Sequence, residues 1–194
     1  MPTTNLLTIK IKNMKKYKQE KANLVLDFFV EEICEYLNVQ KKDVMSLKRD
    51  RILVDIRGIA VYLTKKILPE TTFMNFANYY GFKTHATMMH AVKVILDLQS
   101  VDFKIKQTLN HFSEMDFVTA VLKRYGFDFV SENVYAKQTN AMYLMLKLKD
   151  VEKFKCVLKF GDFTVKEIDI FDALIISKNF EDNPIGKIIN LLKK

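Results

Sequence analysis

The spacing of apolar residues changes near residue 112, and this change limits the possible folds more than any other feature. Before it, apolar residues recur every three or four positions, as on one face of an amphipathic helix. After it, several short segments alternate polar and apolar residues, as half-buried strands do. We therefore expect a mainly α-helical domain over residues 1–112, followed by a small α+β domain with an antiparallel sheet over residues 113–194.

The first domain contains a series of candidate helices, at about 15–37, 40–47, 56–67, 73–80 and 85–99. Residues 5–13, which precede them, are interpreted as either a short strand or an ordered arm. Asn38 can cap the end of the first helix, and Asp55 can cap the start of the third. Residues 48–51, Lys-Arg-Asp-Arg, are expected to form a charged loop.

The stretch YYGFKTHATMMHAV, at 79–92, connects the last two of these helices. Thr71 or Thr72 can cap the first of the two, and Gly81 can end it in the left-handed conformation. Thr84 can cap the second. The expected buried stripe of that second helix is Met88, Met89, Val92, Ile95 and Leu96. This is the arrangement of a helix-turn-helix, whose second helix presents its first turn to the major groove of DNA, although an ordinary helical hairpin shows the same pattern.

The second domain is expected to combine two helices with a sheet. A helix is predicted at 113–127, ended by Gly126, and a closing helix at 183–194 has Pro184 near its first turn. The predicted strands lie at 141–149, 154–160, 163–170 and 173–180, with turns at 149–153 and 161–162.

Positive charge is concentrated in the first domain. The formal net charge of the chain is +8; residues 1–112 hold 18 Lys and Arg against 11 Asp and Glu, whereas residues 113–194 hold 13 against 12. Three of the four arginines, Arg49, Arg51 and Arg57, fall within nine residues. Because arginine binds phosphates through two nitrogens and enters narrow grooves, this cluster indicates a nucleic-acid contact, although a solvated loop would show the same pattern.

No set of residues in the sequence suggests catalysis or metal binding. His85 and His90 are five residues apart, on different faces of a helix, whereas paired zinc ligands on a helix are four apart. Cys34 and Cys156 lie in apolar surroundings, as reduced thiols of a cytoplasmic protein do. Apolar runs are only a few residues long, and the N-terminus lacks the order of a signal peptide. We therefore expect a cytoplasmic protein that is not an enzyme, with no metal, no cofactor and no membrane contact.

The charged loop and the helices around it resemble a known domain. The residues that carry the resemblance are VEEICEYLNVQKKDVMSLKRDR, IRGIAVYLTKK and FANYYGFKTHATMMHAVKVI. Over about residues 28–98, the chain resembles the C-terminal DNA-binding domain of the bacterial replication initiator DnaA. The resemblance implies a helix-turn-helix that binds double-stranded DNA.

The resemblance also implies which residues contact DNA. An arginine of the charged loop would enter an A·T-rich minor groove, and either Lys65 or Lys66 would contact a phosphate. The first turn of the last helix would meet the major groove. The candidate DNA-binding residues are therefore Lys48, Arg49, Arg51, Arg57, Lys65, Lys66, Lys83, Thr84, His85, Thr87 and His90.

Lys83 stands where the family signature has an arginine, and three further residues depart from the pattern. Phe82 stands where the family has a second glycine, Thr84 where it has an aspartate, and Ala86 where it has a threonine. The missing carboxylate removes an acceptor that discriminates between bases by about 1–3 kcal/mol. We therefore expect phosphate and minor-groove contacts to persist, while recognition of the family's own binding sequence weakens.

Two functions follow as hypotheses. The first is a double-stranded DNA-binding protein that regulates replication or transcription in a bacterium, a phage or a mobile element. Residues 113–194 would then form a homodimer or contact a protein partner. The second is a protein-interaction module that binds a replication or transcription protein and no longer reads bases. No nucleotide is expected, because the five glycines never approach the spacing of a phosphate-binding loop.

Overall fold

The chain forms two compact units, Met1–Met115 and Asp116–Lys194. The structure is a computed structural model that describes residues 3–131, 134–139, 142–160 and 163–180. Helices make up the described part of the first unit, and the second combines helices with one antiparallel sheet, which confirms the expected fold class. None of the described helices is both long and apolar enough to cross a bilayer.

The first unit contains α1 (Thr3–Leu37), α2 (Lys41–Val44), α3 (Arg51–Ile67), α4 (Phe73–Tyr80), α5 (Ala86–Leu98) and α6 (Phe103–Glu114). The interpretation of residues 5–13 as a strand or an arm is wrong, because they belong to α1. Extending an existing helix adds one hydrogen bond per residue, whereas a strand needs a partner strand. The helix α6 was not predicted.

The core of the first unit lies between α1, α3 and α5. Val25, Phe29 and Ile33 recur every four residues on α1 and are buried, as the helical spacing predicts. The helix α3 contacts both α1 and α5, and α4 contacts these same two helices. The DNA-facing elements predicted from the sequence are therefore carried on a packed helical scaffold.

Two predicted features of these helices are wrong. Asp55 does not cap α3, because the helix begins at Arg51 and Asp55 lies within it, where its Oδ2 accepts a hydrogen bond from Arg51 Nε at 2.9 Å. Met89 and Leu96 are 47% and 41% exposed and do not belong to the buried stripe of α5. The buried residues of α5 are Met88, Ala91, Val92 and Ile95, which follow the stricter spacing of one narrow face.

The second unit contains α7 (Phe117–Arg124), β1 (Asp128–Ser131), β2 (Val134–Thr139), β3 (Met142–Asp150), β4 (Lys155–Phe160), β5 (Phe163–Asp169) and α8 (Ile170–Phe180). The strands form one sheet in sequence order, and all neighbouring strands are antiparallel. The rings of Phe117, Phe154 and Phe171 pack together, with centroids 5.2–6.2 Å apart. This cluster joins α7, the turn before β4 and α8.

Some predictions for the second unit fail. The strand expected at 173–180 is part of α8, whose buried Ile170, Leu174 and Ser177 follow helical spacing. The helix expected at 113–127 is instead the end of α6 followed by α7, which starts after Asp116 accepts a hydrogen bond from the amide of Thr119 at 3.2 Å. The strands β1 and β2 were not predicted. The closing helix at 183–194 and the turn at 161–162 lie outside the described residues.

Candidate nucleic-acid interface

The turn between α4 and α5, residues 81–85, begins with a left-handed glycine. The Thr72 hydroxyl caps the start of α4 by accepting a hydrogen bond from the amide of Asn75. At the other end Tyr80 is buried, and Gly81 follows with φ of 75°. The sequence therefore locates this turn correctly, because glycine takes that conformation without the steric cost of a side chain.

The start of α5 is presented to solvent. The exposed residues of this segment include Lys83, Thr84, His85, Thr87 and His90. The cap predicted for Thr84 is wrong, since α5 begins at Ala86 and the amides of Met88 and Met89 both donate to the carbonyl oxygen of His85 at 3.1 Å. The side chain of Thr84 is thus not used to start the helix. All five candidate residues of this segment lie where a bound molecule could reach them.

The loop between α2 and α3, residues 45–50, carries the other group of candidates. Arg49 is exposed and makes no ion pair with any residue that the structure describes. Lys48 pairs with Asp43 at 3.1 Å, and Arg51, the first residue of α3, pairs with Asp55. In both ion pairs the cation is solvent-exposed, so the pair contributes little to stability. A phosphate can therefore replace the carboxylate with little loss of folding free energy.

Arg57 is placed differently from the prediction. It is only 2% exposed, and its guanidinium donates to the carbonyl oxygens of Val44, Ser46 and Lys48 at 2.7–2.8 Å. A guanidinium enclosed by its own loop is not presented to a duplex, so the expected direct contact with DNA is replaced by an internal role. Burial also lowers the pKa of Arg57, in spite of the raising effects of Tyr80 and Asp50.

Arg57 also joins the two groups of candidates. The ring of Phe82, in the α4–α5 turn, lies over the guanidinium with its centroid 5.7 Å away. The Phe82 ring in turn contacts the ring of buried Tyr80, with centroids 6.3 Å apart. The side chain of Arg57 therefore contacts both the α2–α3 loop and the α4–α5 turn.

The two alternative lysines of α3 have different surroundings. Lys65 Nζ donates to the carbonyl oxygens of Pro69 and Thr71, at 2.5 and 3.0 Å, and so stabilises the loop after α3. Lys66 is exposed and lies near the ring of Tyr62. Of the two, Lys66 has its ammonium group available to a phosphate.

Comparison with known proteins agrees with this geometry. The family model described as the bacterial dnaA protein helix-turn-helix matches residues 27–95. Residues 27–95 form a helical domain similar to the DnaA helix-turn-helix, named here the DnaA-type domain. The match includes α2, α3, α4, most of α5 and the second part of α1, so both candidate loops lie within this DnaA-type domain.

Several curated relatives match the same part of the chain. The chromosomal replication initiator protein DnaA of Sulfurimonas denitrificans is 33% identical over 91 residues, which are 46% of this chain and 21% of the relative. The DnaA proteins of Ehrlichia ruminantium strain Gardel and Campylobacter jejuni strain 81-176 are each 32% identical, over 48% and 46% of this chain and 20% of the relative. The chain thus spans about a fifth of the length of these relatives. No solved structure matches.

Polar contacts on α1 hold α2 and α4 of the DnaA-type domain in place. Asp27 Oδ1 accepts hydrogen bonds from Tyr79 Oη at 2.5 Å and from Lys41 Nζ at 2.7 Å, and Lys41 also contacts Glu31 at 2.6 Å. Burial would lower the pKa of Lys41, but its bonds to the two carboxylates outweigh burial and raise it. Burial, and then the bond to Asp27, raise the pKa of Tyr79. Sequence reasoning missed these residues, because 52 positions separate Asp27 from Tyr79.

Proposed function

We propose that the DnaA-type domain binds double-stranded DNA. The exposed first turn of α5, with Lys83, His85 and Thr87, would enter the major groove. The α2–α3 loop would place Arg49 at the adjacent minor groove or backbone. The observation that carries the proposal is that Arg57 contacts both the loop and the turn, which brings the two candidate elements next to each other.

Phosphate contacts would supply most of the affinity. The exposed cations of the α2–α3 loop, of α3 and of the α4–α5 turn include Arg49, Lys66 and Lys83. For each phosphate that such a cation neutralises, the logarithm of the association constant falls by about 0.9 per unit of log salt concentration. Thr84 offers a hydroxyl where the family has a carboxylate. We therefore infer weaker discrimination between sequences than a DnaA-type domain with the acid would show.

The biological role that fits best is regulation of replication or transcription. The matched relatives are replication initiators, and the match includes the helix-turn-helix at residues 27–95. We infer that it acts as a non-enzymatic, cytoplasmic DNA-binding regulator of a bacterium, a phage or a mobile element. Its second unit would form a homodimer or bind a protein partner.

A salt titration of binding tests the proposal. Fluorescence anisotropy with a labelled duplex of mixed sequence, between about 50 and 300 mM salt, should give a steep linear dependence. Arg49→Ala and Lys83→Ala should each weaken binding and reduce the slope by about 0.9. Lys106→Ala, which removes an exposed lysine of α6 outside the candidate set, should change neither quantity. Absence of binding to any duplex at 50 mM salt would overturn the proposal.

A second candidate function is a protein-interaction module that has lost base reading. The observation in its favour is Thr84, whose hydroxyl replaces the base-reading acid of the family. Under this alternative, the full chain binds no duplex at low salt but still associates with a replication or transcription protein. The same titration therefore separates the two functions.

A further inference from the structure

The α2–α3 loop folds around one buried side chain. The three nitrogens of the Arg57 guanidinium donate to the carbonyl oxygen of Val44, the last residue of α2, and to those of Ser46 and Lys48 in the loop. The planar guanidinium fixes the directions of its donors, so it fixes the positions of these carbonyls as well. A lysine at position 57 would have a single ammonium group and could not satisfy three separate carbonyls in this geometry.

The open face of the same guanidinium is covered by the α4–α5 turn. Phe82 places its ring over the group, and the ring is itself half-buried against Tyr80. An arginine and an aromatic ring in this geometry attract each other, more strongly where water is excluded. A glycine at position 82, the residue of the family pattern, would leave this face of the guanidinium uncovered.

We propose that Arg57 and Phe82 form a positioning pair that holds the α2–α3 loop and the α4–α5 turn in one fixed arrangement. Neither residue contacts DNA. The pair acts by reducing the ordering cost that Arg49 and the start of α5 would otherwise incur on binding one duplex together. For its effect on DNA the inference rests on the proposed function, whereas the coupling between loop and turn is a property of the protein alone.

Amide hydrogen exchange in the full chain without DNA tests the coupling. The amide of Ser46 donates to the carbonyl oxygen of Asp43 in α2 at 3.1 Å, and the amide of Lys48 donates to Ser46 Oγ at 3.3 Å. Both amides should exchange about 3- to 10-fold faster in two variants, Phe82→Gly and Phe82→Leu. This is the range that a partly buried cation–π contact supports. The glycine variant also makes the backbone more flexible, whereas the leucine variant does not. A role of Phe82 confined to its own turn would leave these two amides unchanged and would overturn the coupling.

Affinity and salt slope in the same variants test the effect on DNA. Phe82→Leu should weaken binding by about 3- to 10-fold with an unchanged slope, because no phosphate contact is removed. Arg57→Lys should also weaken binding at an unchanged slope, since the charge remains but one ammonium group cannot reach all three carbonyl oxygens. If Arg57 bound a phosphate directly, the neutral variant Arg57→Gln would reduce the slope by about 0.9, and that result would overturn the assignment.

A matched variant and a separate readout keep the outcomes distinct. Met74→Leu alters an exposed residue on the solvent side of α4 and should change neither exchange nor binding. The thermal midpoint of each variant shows whether it is folded, and Phe82→Leu decides the matter if Arg57→Lys unfolds. Failure of the wild-type protein to bind DNA defeats the proposed function but leaves the exchange result intact. Unchanged exchange in Phe82→Leu defeats the inference while DNA binding stands.

Discussion

At Gly58, α3 passes so close to α5 that a Cβ atom at this position would lie 3.0 Å from the carbonyl oxygen of Ala91 and 2.7 Å from Cγ1 of Ile95. The absence of a side chain at position 58 therefore sets how closely the second helix of the helix-turn-helix packs against the scaffold. This contact is the basis of the first prediction.

Gly58→Ala should lower the free energy of unfolding of the first unit by about 1–2 kcal/mol. Alanine normally stabilises a helix relative to glycine by about 1 kcal/mol. Here the added Cβ would lie closest to Cγ1 of Ile95 and next to the carbonyl oxygen of Ala91. The backbone oxygen cannot move aside without shifting α5, so overpacking outweighs the gain in propensity. Urea unfolding followed by circular dichroism measures the difference. Ser113→Ala, at an exposed position of α6, is the control and should change stability by less than about 0.5 kcal/mol.

Lys65→Ala and Lys66→Ala should have different effects, although the residues are adjacent. Lys66→Ala should reduce the salt slope of DNA binding by about 0.9 and leave stability unchanged, because its ammonium is exposed. Lys65→Ala should leave the slope unchanged and lower stability by about 0.5–1 kcal/mol, because it removes donors to Pro69 and Thr71. Anisotropy titrations and urea unfolding of both variants measure these effects. A reduced slope for Lys65→Ala alone would show that the structure assigns the two lysines wrongly.

The Tyr79–Asp27 hydrogen bond should make the first unit sensitive to alkaline pH. The pKa of Tyr79 is raised in the folded protein, by burial first and then by Asp27, so its contribution is complete below the ordinary phenol pKa of about 10 and is lost as pH rises above it. Tyr79→Phe should therefore be less stable than the wild type at pH 8, and the difference should narrow from pH 9 to pH 11. Urea unfolding at several pH values tests this. A difference that stays constant over this range would contradict the prediction.

Asp172, in the first turn of α8, should lower the stability of the second unit at neutral pH. Desolvation raises the pKa of Asp172 to about 6, so the charged form is disfavoured in the folded state. Stability from this group is present below its unfolded pKa of about 4 and is lost as pH rises through about 6. Asp172→Asn should therefore stabilise the unit by about 1–2 kcal/mol at pH 7 and by nearly nothing at pH 4.

Hydrogen exchange of the β3 and β4 amides follows the second unit by itself and is the measurement for Asp172→Asn. Protection of these amides should increase in the variant at pH 7 relative to the wild type, after correction for the intrinsic exchange rate. The gain should diminish as pH is lowered from 6 to 4. An equal gain at both pH values would point to a cause other than the titration of Asp172.

Local patterns in the sequence located several elements correctly. The four-residue spacing of Val25, Phe29 and Ile33 predicted α1 from about residue 15 onward, and Gly81 marked the end of α4, because both signals depend on neighbouring residues only. The polar residues that follow Gly81 likewise predicted the exposed start of α5. The strand predicted at 173–180 failed because a short apolar run with Ile175 and Ile176 fits a strand or a helix equally well, and packing decides between them.

The sequence by itself determined the helical periodicity of the first unit, the alternation that gives the antiparallel sheet, and the helix-turn-helix spacing around Gly81. Only the tertiary structure decided what the charged residues do. Arg57 looks like its neighbour Arg51 in the sequence, yet one is enclosed by loop carbonyls and the other is exposed. The reason is physical: periodicity depends on local backbone geometry, whereas burial and the choice of hydrogen-bond partner depend on residues far apart in the chain.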